Sequence, residues 1–199
     1  MFISFEGIDG SGKSTQARRL ARTMADAGTE TVLTREPGGS EGAEEIRRLL
    51  VEGRGERWSP ETELLLFTAA RRDHVERLIH PALARGASVI TDRFADSSRV
   101  YQGLVRADLR QLVEELHRLT IGIEPARTFL IDLDPEIALA RGQARGGVED
   151  RFETLGLDFQ RRLRDGFRAL AAEFPARFRV IDGSGSEDEV AARVRATLA

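Results

Sequence analysis

The eight residues GIDGSGKS at 7–14 restrict what this chain can fold into more than any other feature. They satisfy the pattern G-x-x-x-x-G-K-[ST]. Before them stands FISFE at 2–6, which reads as a short strand. After them, residues 14–27 repeat Ala17, Leu20, Ala21, Met24 and Ala25 at helical spacing. The glycines let consecutive backbone N–H groups turn toward phosphate oxygens, and the new helix adds its positive end. Lys13 would reach the β- and γ-phosphates, and the Ser14 hydroxyl would coordinate Mg2+. Gly7, Ile8, Asp9, Gly10, Ser11, Gly12, Lys13, Ser14 and Thr15 are therefore candidate ligands of a nucleoside triphosphate. An Asn-Lys-x-Asp motif for guanine is impossible, because Lys13 is the only lysine. ATP is the expected donor.

Composition narrows the rest. At 199 residues and 22.1 kDa, one domain over 1–199 is expected. The absence of cysteine removes disulfides, thiolate metal sites and cysteine nucleophiles, and three histidines make a multi-histidine metal site unpromising. A net charge of -3 argues against a nucleic-acid partner. No apolar run reaches the ~18 residues of a membrane helix, and a cytoplasmic location is expected.

Further strands are expected at 30–34, 87–91, 128–133 and 178–181. Helices are expected at about 42–51, from Pro60 through Leu78, in a short stretch through Tyr101, near 108–121, from Pro135, over about 153–172 and from Glu187. The stretch 142–151, GQARGGVEDR, reads as a mobile charged loop. Strands alternating with helices imply a mostly parallel sheet covered on both faces, with ligands at the carboxyl ends of the strands.

An acceptor phosphate calls for guanidinium donors. Arg35 and Arg93 stand at expected strand ends, and Arg47 one helix further on. Phe67 and Arg71 form an i,i+4 pair, suited to stacking on a base and donating to a ring carbonyl, or else a core aromatic beside a surface arginine. Ser98 and Gln102 are a second such pair, next to Tyr101. Asp92 ends its strand and either caps a helix or joins a Mg2+ shell.

Several strings resemble the thymidylate kinase family, of the bacterial type: FEGIDGSGKST at 5–15, TREPGGS at 34–40, EEIR at 44–47, LLLFTAARR at 64–72, DRFADSSRVYQG at 92–103, FLIDLDPEIALAR at 129–141 and DRFE at 150–153. They run in family order over nearly the whole chain. The resemblance implies a three-layer α/β/α P-loop fold with a five-stranded parallel sheet of order 2-3-1-4-5. It also implies transfer of the γ-phosphoryl of ATP to dTMP, and a homodimer. It brings Arg35, Pro37 and Arg47 to the acceptor phosphate within acceptor-binding segments 35–103, and Arg93 to the transferring group. Phe67 is placed under the thymine, Arg71 at its O4, Tyr101 against the deoxyribose C2′, and Asp9 at the 3′-hydroxyl and metal-bound water. Members carry a catalytic arginine either in the phosphate loop or in a lid, here about 141–153. The loop position is Gly10, so Arg151 is expected to act, then Arg145, with Arg141 beside the donor nucleotide. The connection LVRADLRQL after YQG is shorter than is usual in the family. The enzymatic alternative is another P-loop phosphotransferase, a deoxynucleoside kinase or another nucleoside monophosphate kinase; a cytidylate or guanylate kinase would have to read a different base edge. The non-enzymatic one is an ATP-dependent switch protein.

Overall fold

Five parallel strands, β1 (Phe2–Glu6), β2 (Thr31–Arg35), β3 (Ser88–Asp92), β4 (Arg127–Asp132) and β5 (Phe178–Asp182), pair in the order β2-β3-β1-β4-β5. The computed structural model describes residues 1–52, 57–106, 108–145 and 156–198, with the side chains at 106 and 143–145 also outside the description. The sheet has the expected order, and each strand lies within one or two residues of its expected place. Each strand closes on a charged residue (Glu6, Arg35, Asp92, Asp132 or Asp182), so the carboxyl edge of the sheet is polar by construction.

Nine α-helices are described: α1 (Lys13–Asp26), α2 (Glu41–Val51), α3 (Pro60–His74), α4 (His80–Ala84), α5 (Ala95–Val100), α6 (Arg110–Leu116), α7 (Pro135–Arg145), α8 (Gly156–Glu173) and α9 (Glu187–Ala196). Alternate strand residues feed opposite faces of the sheet. Ile3, Phe5, Phe129 and Ile131 pack with Leu20 of α1 and Val190 and Val194 of α9. Leu130 joins Val100, Leu163 and Phe167 under α5 and α8, while Phe2 and Val89 meet Val75 and Ile79 beyond α3. Among the described residues no helix is long and apolar enough to cross a membrane.

Local chemistry sets the helix starts. Pro60 opens α3 behind Ser59, whose hydroxyl accepts from Thr62 N–H at 3.2 Å, and Ser186 and Glu189 form a reciprocal cap on α9. Two features depart from the reading of the sequence. Residues 142–145 belong to α7 rather than to a loop. Asp134 accepts from Glu136 N–H to start this helix, and its ALAR and QAR stretches are good helix formers; Gly142 is tolerated there and is buried. Helical periodicity also concealed three π turns, at Val75–Ile79, Tyr101–Arg106 and His117–Ile121. The last of these closes with Gly122 N–H on His117 C=O at 2.9 Å. Such widened turns recur at functional sites, and the middle one carries Tyr101 and Gln102.

Candidate active site

A cavity of about 260 Å³ opens at the carboxyl edge of the sheet. It is lined by Lys13, Ser14 and Asp9 from the glycine loop and α1, and by Asp92 and Arg93 after β3. Arg35 and Pro37 follow β2, Arg47 lies on α2, Phe67 and Arg71 on α3, and Ser98, Tyr101 and Gln102 on α5 and the turn beyond it. Residues from five separate stretches of sequence thus share one wall. Arg141 lies on the exposed side of α7, outside the cavity. Arg145 has a described backbone only, and Arg151 lies outside the described residues.

At one end, Asp9 gathers two cations. Its Oδ1 accepts from Lys13 Nζ at 3.0 Å and from Arg93 Nη2 at 2.6 Å. Burial would raise its pKa, but Lys13 and Arg93 outweigh that and hold the carboxyl well below its usual range. Arg93 adopts a positive φ of 71°, a costly backbone state for any residue with a Cβ. The corner is pinned from behind by Glu6, whose carboxylate accepts from Phe94 N–H at 2.8 Å and from Ser97 Oγ at 2.7 Å. Ser97 in turn accepts from Arg93 Nη1 at 2.9 Å. Tyr101 reaches the same cluster, its hydroxyl accepting from Arg93 Nη2 at 3.2 Å. Its ring meets Phe159 and Phe167 edge-on at 6.3 Å. Tyr101 is therefore core filler along one edge and cavity wall at its tip. Burial raises its pKa, so the phenol stays neutral.

At the other end Phe67 and Arg71 are not a core aromatic beside a surface arginine, and both line the cavity. Arg71 is only 5% exposed and Phe67 is half-buried. Arg71 Nε donates to Glu36 Oε2 at 2.7 Å, and its Nη2 donates to Phe94 C=O and to Ser98 Oγ. Glu36 also meets His74 Nδ1 at 3.1 Å, and His74 Nε2 meets Thr34 Oγ1 at 2.8 Å. Gly39 lies against this last contact: a Cβ there would fall 2.5 Å from both His74 Nε2 and Thr34 Oγ1. Between the two ends, Arg47 Nη1 donates to Pro37 C=O at 2.6 Å, and Arg35 Nη2 to Glu44 Oε2 at 3.0 Å.

The loop itself is roofed by α7. Gly10 has a φ of 80°, and a Cβ on it would stand 2.0 Å from the Ala138 carbonyl oxygen. That leaves no space for any side chain, least of all an arginine.

The sequence profile of the thymidylate kinase family matches residues 5–194. The chain belongs to the thymidylate kinase family. It is 69% identical over 196 residues to the thymidylate kinase of Dinoroseobacter shibae, covering 98% of this chain and 95% of that one. The thymidylate kinase of Ruegeria pomeroyi is 64% identical over 194 residues, covering 98% and 92%. A crystal structure of thymidylate kinase from Ehrlichia chaffeensis superposes with a TM-score of 0.81 at 36% identity, covering 100% of this chain and 98% of that one.

For a thymidylate kinase the donor set also suits a hard cation that is shared with phosphates. Asp92 Oδ1 is buried without a hydrogen-bond partner, and both Asp92 and Ser14 line the cavity. Asp92 is not the cap of α5, which starts behind Phe94 without a side-chain cap. Among the described residues no cluster of three or more acids or histidines forms an all-protein metal cage. Mg2+ commonly takes few protein ligands and keeps its waters and the phosphates, and an unpartnered carboxylate oxygen with a serine hydroxyl is a set of that kind. Reading the sequence missed Glu6, Glu36, His74 and Ser97. The one available signal was position: Glu6, Glu36 and Ser97 lie inside strings already singled out, Glu6 directly before Gly7 and Glu36 directly after Arg35.

Proposed function

We infer that the chain transfers the γ-phosphoryl group of ATP to dTMP, giving ADP and dTDP, in the cytoplasm and as a homodimer. One observation carries this reading: the glycine loop with Lys13 opens into the same cavity as a base-sized wall of Phe67, Arg71, Ser98 and Gln102. Lys13 holds the β- and γ-phosphates on the helix end. Arg35 and Arg47 hold the acceptor phosphate over Pro37, and Arg93 faces the transferring group. Phe67 stacks on thymine, Arg71 donates to its O4, and Tyr101 closes the space beside C2′. Asp9 orients Lys13 and Arg93 and meets the sugar 3′-hydroxyl. Ser14 and Asp92 would hold Mg2+, directly or through water, and bound there it would supply charge neutralisation for the phosphates. The acceptor is already an anionic oxygen, so positioning and charge neutralisation carry the rate and no obligatory base is assigned.

Sequence reasoning places the remaining arginine in a lid over about 141–153, within a single catalytic domain. Arg151→Ala should lower kcat far more than it raises KM for dTMP. A mild Arg151→Ala beside a severe Arg145→Ala would exchange their roles. Leu49 on α2, Leu65 on α3 and Leu119 in the π turn after α6 are exposed apolar side chains on α3 and on two elements that each pack against it, which supports a self-association face. Light scattering at micromolar concentration checks the dimer. For the reaction, ADP formation is followed with Mg2+ and ATP, with and without dTMP. Strong dTMP stimulation is expected, with loss of activity in EDTA; equal rates with and without dTMP refute the kinase reading.

A further inference from the structure

Glu63, Phe67 and Arg71 recur every four residues along α3 and so form one stripe on a single helix face. Phe67 and Arg71 line the cavity, and Glu63 lies one turn behind them, 0% exposed. Its Oε1 accepts from Gln102 Nε2 at 2.8 Å. Gln102 is 1% exposed and forms part of the cavity wall from the π turn on the opposite side.

An amide side chain is ambiguous as a reader, because its two ends look alike in shape and opposite in hydrogen bonding. A carboxylate oxygen beside it removes the ambiguity, since it attracts the NH2 end and repels the carbonyl. We propose that Glu63 is a specificity-determining positioning residue: it holds the Gln102 amide with its carbonyl oxygen toward the acceptor base, so that the pocket accepts N3–H of thymine and rejects cytosine. This rests on the proposed reading of the cavity as a dTMP site. Along the edge from position 4 to position 3, thymine offers an acceptor then a donor, and cytosine a donor then an acceptor. Arg71 has donors only, and Glu36 holds its Nε turned away. With Gln102 fixed as the acceptor, the wall matches thymine twice and opposes cytosine twice. Discrimination of this kind needs the opposed contacts as much as the favourable ones.

The test is kcat/KM for dTMP, dUMP and dCMP with wild type, Glu63→Gln and Gln102→Ala. Glutamine at 63 keeps the shape but can both donate and accept, which frees the Gln102 amide to turn over. The dTMP:dCMP preference should then fall about 10-fold, mainly through KM, while dTMP:dUMP stays constant because uracil shares thymine's edge. An unchanged dTMP:dCMP ratio, or equal losses on all three acceptors, overturns the proposal. Gln102→Ala separates the two levels. If it leaves the dTMP:dCMP ratio intact, the base-reading wall itself is wrong, and the proposal with it. If it collapses the ratio and folded Glu63→Gln does not, only the orienting role of Glu63 fails. Should Glu63→Gln not fold, wild type still decides. Its Gln102 side-chain amide protons, assigned by their absence in Gln102→Ala, should be slow to exchange with water; fast exchange overturns the proposal.

Discussion

Glu6 and Glu36 are both buried beside the same cavity, and their protonation is pushed in opposite directions. Glu6 stands behind the phosphate end. Burial raises its pKa, the nearby carboxylate of Asp96 raises it further, and Arg93 and the Ser97 and Phe94 donors only partly compensate, leaving it at about 7. Glu36 stands at the base end. Burial raises it too, but Arg71 and then His74 outweigh burial and hold it below its ordinary value. The difference is where the nearest cation points. Arg71 donates directly to Glu36, whereas Arg93 gives Asp9 its shortest contact and leaves Glu6 to neutral donors. One end is therefore a satisfied ion pair that fixes a shape. The other commits its cations to Asp9 and leaves a carboxyl close to titration behind them.

That contrast breaks down if the two ends respond alike. The largest expected effect is Lys13→Ala, which should raise the barrier by about 3–5 kcal/mol, hundreds-fold or more in kcat, with an unaltered circular dichroism spectrum. A variant keeping half of the wild-type kcat would remove the phosphate end from catalysis. Next, Arg71→Ala strands a buried carboxylate and should cost about 3–4 kcal/mol of stability in urea unfolding, with a raised KM for dTMP. If it lowers kcat at saturating dTMP as severely as Lys13→Ala, the two ends are one unit.

The pH dependence sharpens the same comparison. A carboxyl raised on folding stabilises the native state fully below its unfolded pKa, near 4.5, and loses that contribution as pH rises through its folded value of about 7. Glu6→Gln removes that slope. Relative to wild type it should gain about 3 kcal/mol between pH 4.5 and pH 8. Unfolding curves that stay parallel over this range would show that Glu6 is not held protonated. Glu36 has the opposite sign: its stabilisation is present above about pH 4.5 and fades below it. The smallest effect is at Tyr101, where the ends meet. Tyr101→Ala should reduce the preference for dTMP over 5-methyl-UMP about 10-fold, as the penalty on a crowded 2′-hydroxyl is lost. Equal losses on both acceptors would leave Tyr101 as core filler alone.

The fold was largely legible because its signals are local. Buried apolar runs set the strands, a glycine-lysine motif set the first turn, and Pro60 behind Ser59 set a helix start. The cavity wall was legible as a set of residue types at strand ends and helical spacing, and every residue expected on the acceptor side reaches it. The supporting shell was not. Glu36 with His74, and Glu6 with Ser97, are pairs 38 and 91 positions apart, and nothing in either residue's neighbourhood names its partner. Nor does periodicity reveal where a helix widens into a π turn, since one extra residue per turn leaves the apolar pattern readable on both sides.

The contact between Gly10 and Ala138 has a historical consequence. Two backbones meet there with no side chain between them, so an arginine at position 10 is excluded by packing before chemistry enters. A lineage carrying this roof could not acquire a loop arginine in one step: any mutation at position 10 would first collide with the Ala138 carbonyl. The helix would have to retreat first, opening the packing between the glycine loop and α7.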